Sequence, residues 1–155
     1  MRKSGIRIAA VALLILVTSA FGKTASVEEQ VHAVYDQWTH AIETANGNPQ
    51  PVVALYAPKA ILLATLSPLP LTDSQQMNEY FAKLTSHKDM KVQTKQIITH
   101  VFPGIAINSG VYVFSFLDKN NKPVALEARF SFVYYQSNGH WLIVNHHSSL
   151  LPSAD

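Results

Sequence analysis

Four long β-rich runs fill the C-terminal half of this 155-residue chain and constrain its fold more than any other feature. The runs cover residues 92–101, 105–117, 124–136 and 141–148. Polar turns at 118–122 and 137–139 join the last three runs, and Asn-Gly in the second turn is a strong hairpin signal. Because strands joined by such short turns pair as antiparallel neighbours, this half of the chain predicts a meander sheet.

Helical segments come before the sheet. Apolar residues recur at helical spacing over residues 27–44, and Ser26 with Glu29 fits a capping box. A short helix is expected at 52–56, an apolar buried strand at 60–66, and a third helix from Thr72 or Asp73 to about residue 86. Helices followed by a meander predict an α+β fold, with the helices packed on one face of a curved, mostly antiparallel sheet.

The first 22 residues have the composition of a secretory signal peptide. Arg2, Lys3 and Arg7 precede an apolar run at 8–17, and small residues follow as far as Gly22. We expect cleavage after Gly22, a periplasmic or secreted protein, and a single domain over residues 23–155. Because the apolar run is short for a bilayer span, no stable membrane anchor is expected. The chain has no cysteine, which suits an exported protein that needs no disulfide.

Removal of the leader changes the charge of the chain and isolates one residue. Nine Lys and Arg then stand against ten Asp and Glu, so the net charge is −1. No basic stripe remains, and nucleic acid is not an expected partner. Arg129 becomes the only arginine of the mature protein.

Arg129 lies in the middle of an apolar β-rich run. Side-chain alternation groups it with Glu127, Ser131, Val133 and Tyr135, opposite an apolar set at 128, 130, 132 and 134. An arginine inside such a sheet is costly unless it is paired. Two interpretations stay open: an ion pair with Glu127, or a pocket between helices and sheet in which Arg129 binds a carboxylate or another anion.

Two adjacent histidines end the last β-rich run. Strict alternation groups His147 with Trp141 and puts His146 with Ser148 on the opposite face. Neighbouring strand residues diverge, so the histidines do not share a metal, and no zinc motif is present. They are either hydrogen-bonded structural residues, or one of them, His147 before His146, shares a polar pocket with Arg129. A hydrolase using Ser148 or Ser149 is disfavoured, because no nucleophile elbow exists.

Both faces of the expected sheet are rather apolar, which predicts that both are covered. Helices cover one face, and a second copy of the chain is the expected cover of the other, so we expect a homo-oligomer. The alternative is an ordinary sheet with scattered exposed aromatic residues. Four tyrosines are weaker candidates for lining a pocket, and alternation supports only the last of them beside Arg129: Tyr56, Tyr80, Tyr112 and Tyr135.

The segment EARFSFVYYQSNGHWLIVNHHSSLLP, residues 127–152, resembles the C-terminal signature of the calcium/calmodulin-dependent protein kinase II association (hub) domain family, in its stand-alone bacterial form. The segments LYAPKAILLATLS, MNEYFAKL and SGVYVF occur upstream in the order of that family, and the resemblance covers residues 27–152. The positions that match its C-terminal pattern are Arg129, Trp141, His147, Ser149 and Pro152.

The resemblance implies a cone-shaped nuclear transport factor 2-like fold that dimerises through its sheets and builds rings. It implies a pocket with Arg129, His147 and Ser149 as ligand-binding residues, and we add Tyr135 from alternation. The further pocket arginines of the kinase hubs have no counterpart here, and no phosphoryl-transfer motif is present. The expected ligand is a small polar or anionic molecule, without a cofactor. Weaker site candidates are His146, Glu127, Trp38 and Asp36.

The same superfamily contains isomerases and cyclases, so a small enzyme of isomerase, cyclase or hydrolase type is the alternative function. The position of the isomerase base matches Ala64, which cannot abstract a proton. Asp36 or His147 would have to act instead. An enzyme should show a histidine of perturbed pKa that faces Arg129 inside a cavity. A pure assembly domain should show a collapsed pocket and Arg129 paired with Glu127.

Overall fold

The computed structural model describes residues 25–152, and the signal peptide expected at 1–22 lies outside them. Three helices and five strands follow one another in this part of the chain. The helices are α1 (Val27–Thr44), α2 (Gln50–Val53) and α3 (Ser74–Thr85). The strands are β1 (Tyr56–Leu63), β2 (Lys88–Phe102), β3 (Ile105–Leu117), β4 (Pro123–Ser137) and β5 (His140–Leu150).

Side-chain caps fix the starts of the two long helices. The Ser26 hydroxyl accepts a hydrogen bond from the Glu29 amide at 3.1 Å, and the Ser26 amide donates to the Glu29 carboxylate at 2.6 Å. The Asp73 carboxylate accepts from the Gln76 amide at 2.8 Å. Each cap satisfies amides that have no partner within the helix. The expected capping box and the Asp73 start are therefore confirmed.

A single five-stranded sheet has the order β1-β5-β4-β3-β2. Strands β2 to β5 form the expected antiparallel meander, and β1 adds to it parallel to β5. The α+β fold with a mostly antiparallel sheet is confirmed. Several boundaries differ from expectation: the helix expected at 52–56 is Gln50–Val53, the strand expected at 60–66 is Tyr56–Leu63, and β2 begins at Lys88.

Two of the β-bulges in the sheet affect the candidate residues or the strand approach. The first inserts Lys95 into β2 opposite β3, beside Gly110. A Cβ atom on Gly110 would stand 1.9 Å from the carbonyl oxygen of Gln96, so the close approach of the two strands requires glycine. The second bulge inserts Val144 into β5 opposite β4. A bulged strand shifts its alternation by one residue, so the faces of β5 exchange at Val144.

The helices cover one face of the sheet, which we call the inner face. Trp38 of α1 is buried there, with its ring centroid 5.1 Å from that of Phe132 and 5.3 Å from that of His146. The Tyr35 ring stacks on Phe130 at 5.4 Å. The other face, which we call the outer face, carries the side chains of Arg129 and its alternating neighbours. No helix of residues 25–152 packs on it, because all three contribute to the inner core.

Candidate functional site

His146 lies at the centre of a buried polar network on the inner face. Its side chain is 2 % exposed and its ring stacks on Phe132, with 3.8 Å between the ring centroids. Its Nδ1 atom lies 2.8 Å from the Tyr56 hydroxyl, and that hydroxyl accepts a hydrogen bond from Trp38 Nε1 at 3.0 Å. Its Nε2 atom lies 3.5 Å from the Tyr112 hydroxyl.

The directions of these hydrogen bonds assign the tautomer of His146. Because the Tyr56 hydroxyl accepts from Trp38, its own hydrogen is directed to His146 Nδ1. Because the Tyr112 hydroxyl donates to Ser148 Oγ at 2.7 Å, it is left to accept from Nε2. Ser148 also shares a hydrogen bond with Thr65. The neutral imidazole with hydrogen on Nε2 therefore satisfies the whole network.

Burial sets the protonation state of this network. Burial, with a smaller contribution from the neighbouring His147, lowers the pKa of His146 from its ordinary value of 6.5 to about 3. Burial also raises the pKa of Tyr56 and Tyr112 well above 10. All three groups are uncharged near neutral pH because a buried charge is costly. Aromatic rings fill the space around them, and this interior is a packed core.

Arg129 and its expected companions lie on the outer face, which the helices do not cover. In the pairing of β4 with β5, Arg129 lies opposite Ser149, and Ser131 lies opposite His147. Arg129, Glu127 and His147 are exposed, and Ser149 is half-buried. Tyr135 is also on this face and is 49 % exposed. The structure thus brings the four main site candidates to one face, but one subunit does not enclose them in the expected pocket between helices and sheet.

The expected grouping of the two histidines was wrong. Strict alternation put His147 on the face of Trp141, but the bulge at Val144 separates them. Trp141 is on the inner face with His146, and His147 is on the outer face with Arg129. A one-residue insertion reverses every later side chain of a strand, which is why His146, the weaker candidate, is the buried one.

The ion pair between Arg129 and Glu127, one of the two open interpretations of Arg129, is not formed within the subunit either. Within residues 25–152, the salt bridge present joins Lys91 Nζ to Glu43 Oε2 at 3.6 Å, and Arg129 and Glu127 do not pair within one subunit. The histidine with a perturbed pKa, His146, faces away from Arg129. The feature expected of an enzyme, a histidine of perturbed pKa that faces Arg129 in a cavity, is therefore not found. Of the two features expected of an assembly domain, the interior around His146 is filled, but Arg129 is not paired with Glu127.

The remaining weaker candidates are scattered. Trp38 is buried in the network around His146, whereas Asp36 of α1 is exposed to solvent. Ala64, at the position of the isomerase base, is 6 % exposed and has no titratable atom. Within residues 25–152, no three His, Asp or Glu side chains cluster as metal ligands. None of the helices described is long and apolar enough to cross a membrane.

Sequence reasoning missed a small cleft beside α3. Its volume is about 120 Å³, and it is lined by Leu66, Tyr80, Lys83, Leu84 and His87. Burial raises the pKa of Tyr80 to about 12, and the His87 ring packs on Phe116 with 4.3 Å between centroids. The loop after β1 closes one side of the cleft, so helical periodicity in α3 alone could not reveal it. It lies on the helix side of the sheet, away from Arg129.

Known proteins resemble this chain over nearly all of the residues that the structure describes. The family model of the calcium/calmodulin dependent protein kinase II association domain matches residues 27–152. No curated protein sequence matches the chain. Among solved structures, a protein from Xanthomonas campestris named as a candidate association domain of this kind is 35% identical, with a TM-score of 0.76, over 85% of this chain and 93% of that chain.

More distant structures share the fold. A nuclear transport factor 2-like superfamily protein from Salmonella enterica is 15% identical over 83% of this chain and 93% of its own, with a TM-score of 0.73. A protein from Streptomyces avermitilis, named as a candidate dehydratase of the nuclear transport factor 2-like family, is 14% identical over 81% and 96%, with a TM-score of 0.70. With the match over residues 27–152, this chain belongs to the calcium/calmodulin dependent protein kinase II association domain family.

Proposed function

We propose that this protein is an exported homo-oligomeric association domain, whose copies pack together through the outer face of the sheet. The observation that carries the proposal is the composition of that face. Large apolar side chains stand out from three of its strands although no helix covers them: Ile61 (42 % exposed), Leu63 (39 %), Ile98 (49 %), Phe102 (52 %) and Tyr135 (49 %).

Burial of this face would remove apolar surface from water, at roughly 25 cal/mol for each Å². A contiguous exposed apolar patch commonly marks a protein interface. Strands β3 and β4 supply further half-buried side chains between the exposed ones, including Val111, Val113 and Val133. The name of the 35% identical Xanthomonas protein, an association domain, supports the same function.

The enzyme alternative has weaker support. The relative named as a dehydratase is 14% identical, a level at which the likeness extends to the fold alone. The inner histidine is neutral, buried and fully hydrogen-bonded, and Ala64 offers no base. Binding of a small anion at Arg129 stays a prediction. Assembly has the stronger support because the outer face is open in one subunit and extends over the whole sheet.

Sedimentation analysis of residues 23–155 over a range of concentrations tests assembly. We expect a dimer or larger ring for the parent, and a shift towards monomer for Tyr135→Lys, which puts a charge on the outer face. Leu69→Lys is the matched control, because Leu69 is 70 % exposed in the loop after β1, away from that face. A parent that stays monomeric at all concentrations would contradict the proposal.

A further inference from the structure

Two opposite charges lie near the middle of the proposed association face. Strand β4 is the third of five strands, so it runs through the centre of the sheet. Glu127 and Arg129 are its only charged residues, and both lie near its midpoint. They are two positions apart, so both side chains project from the outer face, where both are exposed.

This pair is costly to bury unless each charge finds a partner. A guanidinium removed from water without a partner costs several kcal/mol, on the order of what an interface gains. Within residues 25–152, Arg129 makes no ion pair and its strand neighbour Glu127 does not approach it closely enough. Ser149 and Val111, opposite Arg129 on the adjacent strands, carry no charge. A complementary charge from outside the subunit would satisfy each group when this face packs against another sheet.

A second copy of the same chain supplies that charge with the right spacing. In a two-fold interface, residue i of one copy contacts residue j of the other, and j contacts i in return. Such an axis lies between the two sheets. If it runs perpendicular to β4 at the level of Ala128, the two β4 strands are antiparallel, and Arg129 of each copy lies over Glu127 of the other. Packed sheets are about 10 Å apart, a gap that an arginine and a glutamate span together.

We propose that two copies pack outer face to outer face about a two-fold axis at Ala128, joined by reciprocal Arg129–Glu127 ion pairs. This inference rests on the proposed function, and adds to it the register of the two sheets and the charged contact between them. The apolar side chains of the face provide most of the stabilisation, whereas the paired charges select one alignment of the two sheets. This register gives the single arginine of an apolar strand an opposite charge on the partner copy.

Charge reversal tests the pairing. Arg129→Glu and Glu127→Arg each place like charges together in the homodimer, and we expect each to weaken self-association by about tenfold or more. An equimolar mixture of the two variants should restore it, because every cross-interface pair is again of opposite sign. The double variant Glu127→Arg/Arg129→Glu should associate like the parent. Lys119→Glu, in the exposed turn after β3, is the matched control and should have no effect.

The outcomes separate this inference from the proposed function. A monomeric parent would overturn both. A parent that associates while the single variants associate equally well would overturn the pairing alone. Loss of association in Arg129→Glu but not in Glu127→Arg would show that Arg129 meets another group, such as a small anion. Circular dichroism of each variant confirms folding, and failure of the folded mixture to associate would also overturn the pairing.

Discussion

The imidazole of His146 illustrates how burial decides what a titratable side chain can do. It has the hydrogen-bond partners of a catalytic base, yet it is enclosed by rings and its pKa is lowered to about 3. In the unfolded chain the same side chain titrates near its ordinary value of 6.5. Folding therefore keeps it neutral between these two pH values, where the unfolded chain binds a proton.

This difference predicts a pH-dependent stability. A group whose pKa is lowered by folding contributes fully above its unfolded pKa, and the contribution falls as the pH drops from 6.5 towards 3. Between pH 7 and pH 5 we expect His146 to cost about 2 kcal/mol of unfolding free energy, measured by urea denaturation at fixed protein concentration. In His146→Phe, the loss between these two pH values should be smaller by about that amount.

The control for this experiment is another histidine. His40 is exposed on α1, away from the outer face, so His40→Gln should lose as much stability as the parent on acidification. The other histidines and the carboxylates contribute equally to parent and variant, and they cancel in the comparison. If His146→Phe loses stability between pH 7 and pH 5 to the same extent as the parent, His146 is not the group responsible.

At the level of the elements, the absence of a side chain at Gly110 allows the backbones of β2 and β3 to lie close together. Its missing Cβ leaves room for the Gln96 carbonyl at the Lys95 bulge. We expect Gly110→Ala to lower the unfolding free energy by about 1–3 kcal/mol, since either the bulge or the strand pairing must shift. Ser115→Ala, at a half-buried position of the same strand, is the control and should change little. Urea denaturation monitored by tryptophan fluorescence measures both, and an unchanged midpoint for Gly110→Ala would contradict this role.

Local signals in the sequence were sufficient for most elements. Helix α1 has the expected bounds because its periodicity and its Ser26 cap are both local. The Asn-Gly turn likewise placed β4 and β5 as a hairpin. The bulge at Val144 could not be predicted, since neither a glycine nor a break in the apolar pattern marks it. The parallel pairing of β1 with β5 is a contact between distant segments, which local propensity does not encode.

The candidate site was predictable only in part for the same reason. Arg129, Glu127 and Tyr135 share a face as alternation required, because β4 pairs regularly with β3 along its whole length. Which face the helices cover depends on tertiary packing, and this reversed the expected environment of Arg129. The polar network of Tyr56, His146 and Tyr112 joins three strands, and no spacing within one strand indicates it.

At the scale of the whole molecule, the two faces of the sheet have different roles. Around His146 the inner face is closed by aromatic packing and a saturated hydrogen-bond network, and the small cleft beside α3 lies elsewhere on the same side of the sheet. The outer face keeps exposed apolar groups and, on β4, one pair of opposite charges. This division is what the proposed association through the outer face requires.

Export of the whole chain is the remaining prediction. The basic start at Arg2, the apolar run at 8–17 and the small residues before Gly22 are the parts of a cleavable leader. Expression of residues 1–155 in a bacterium with a periplasm should yield a periplasmic protein whose mass corresponds to residues 23–155. Leu14→Arg, which interrupts the apolar run, should keep the full-length chain in the cytoplasm. Residues 23–155 expressed alone control for leakage, and a full-length chain that is neither cleaved nor periplasmic would contradict the prediction.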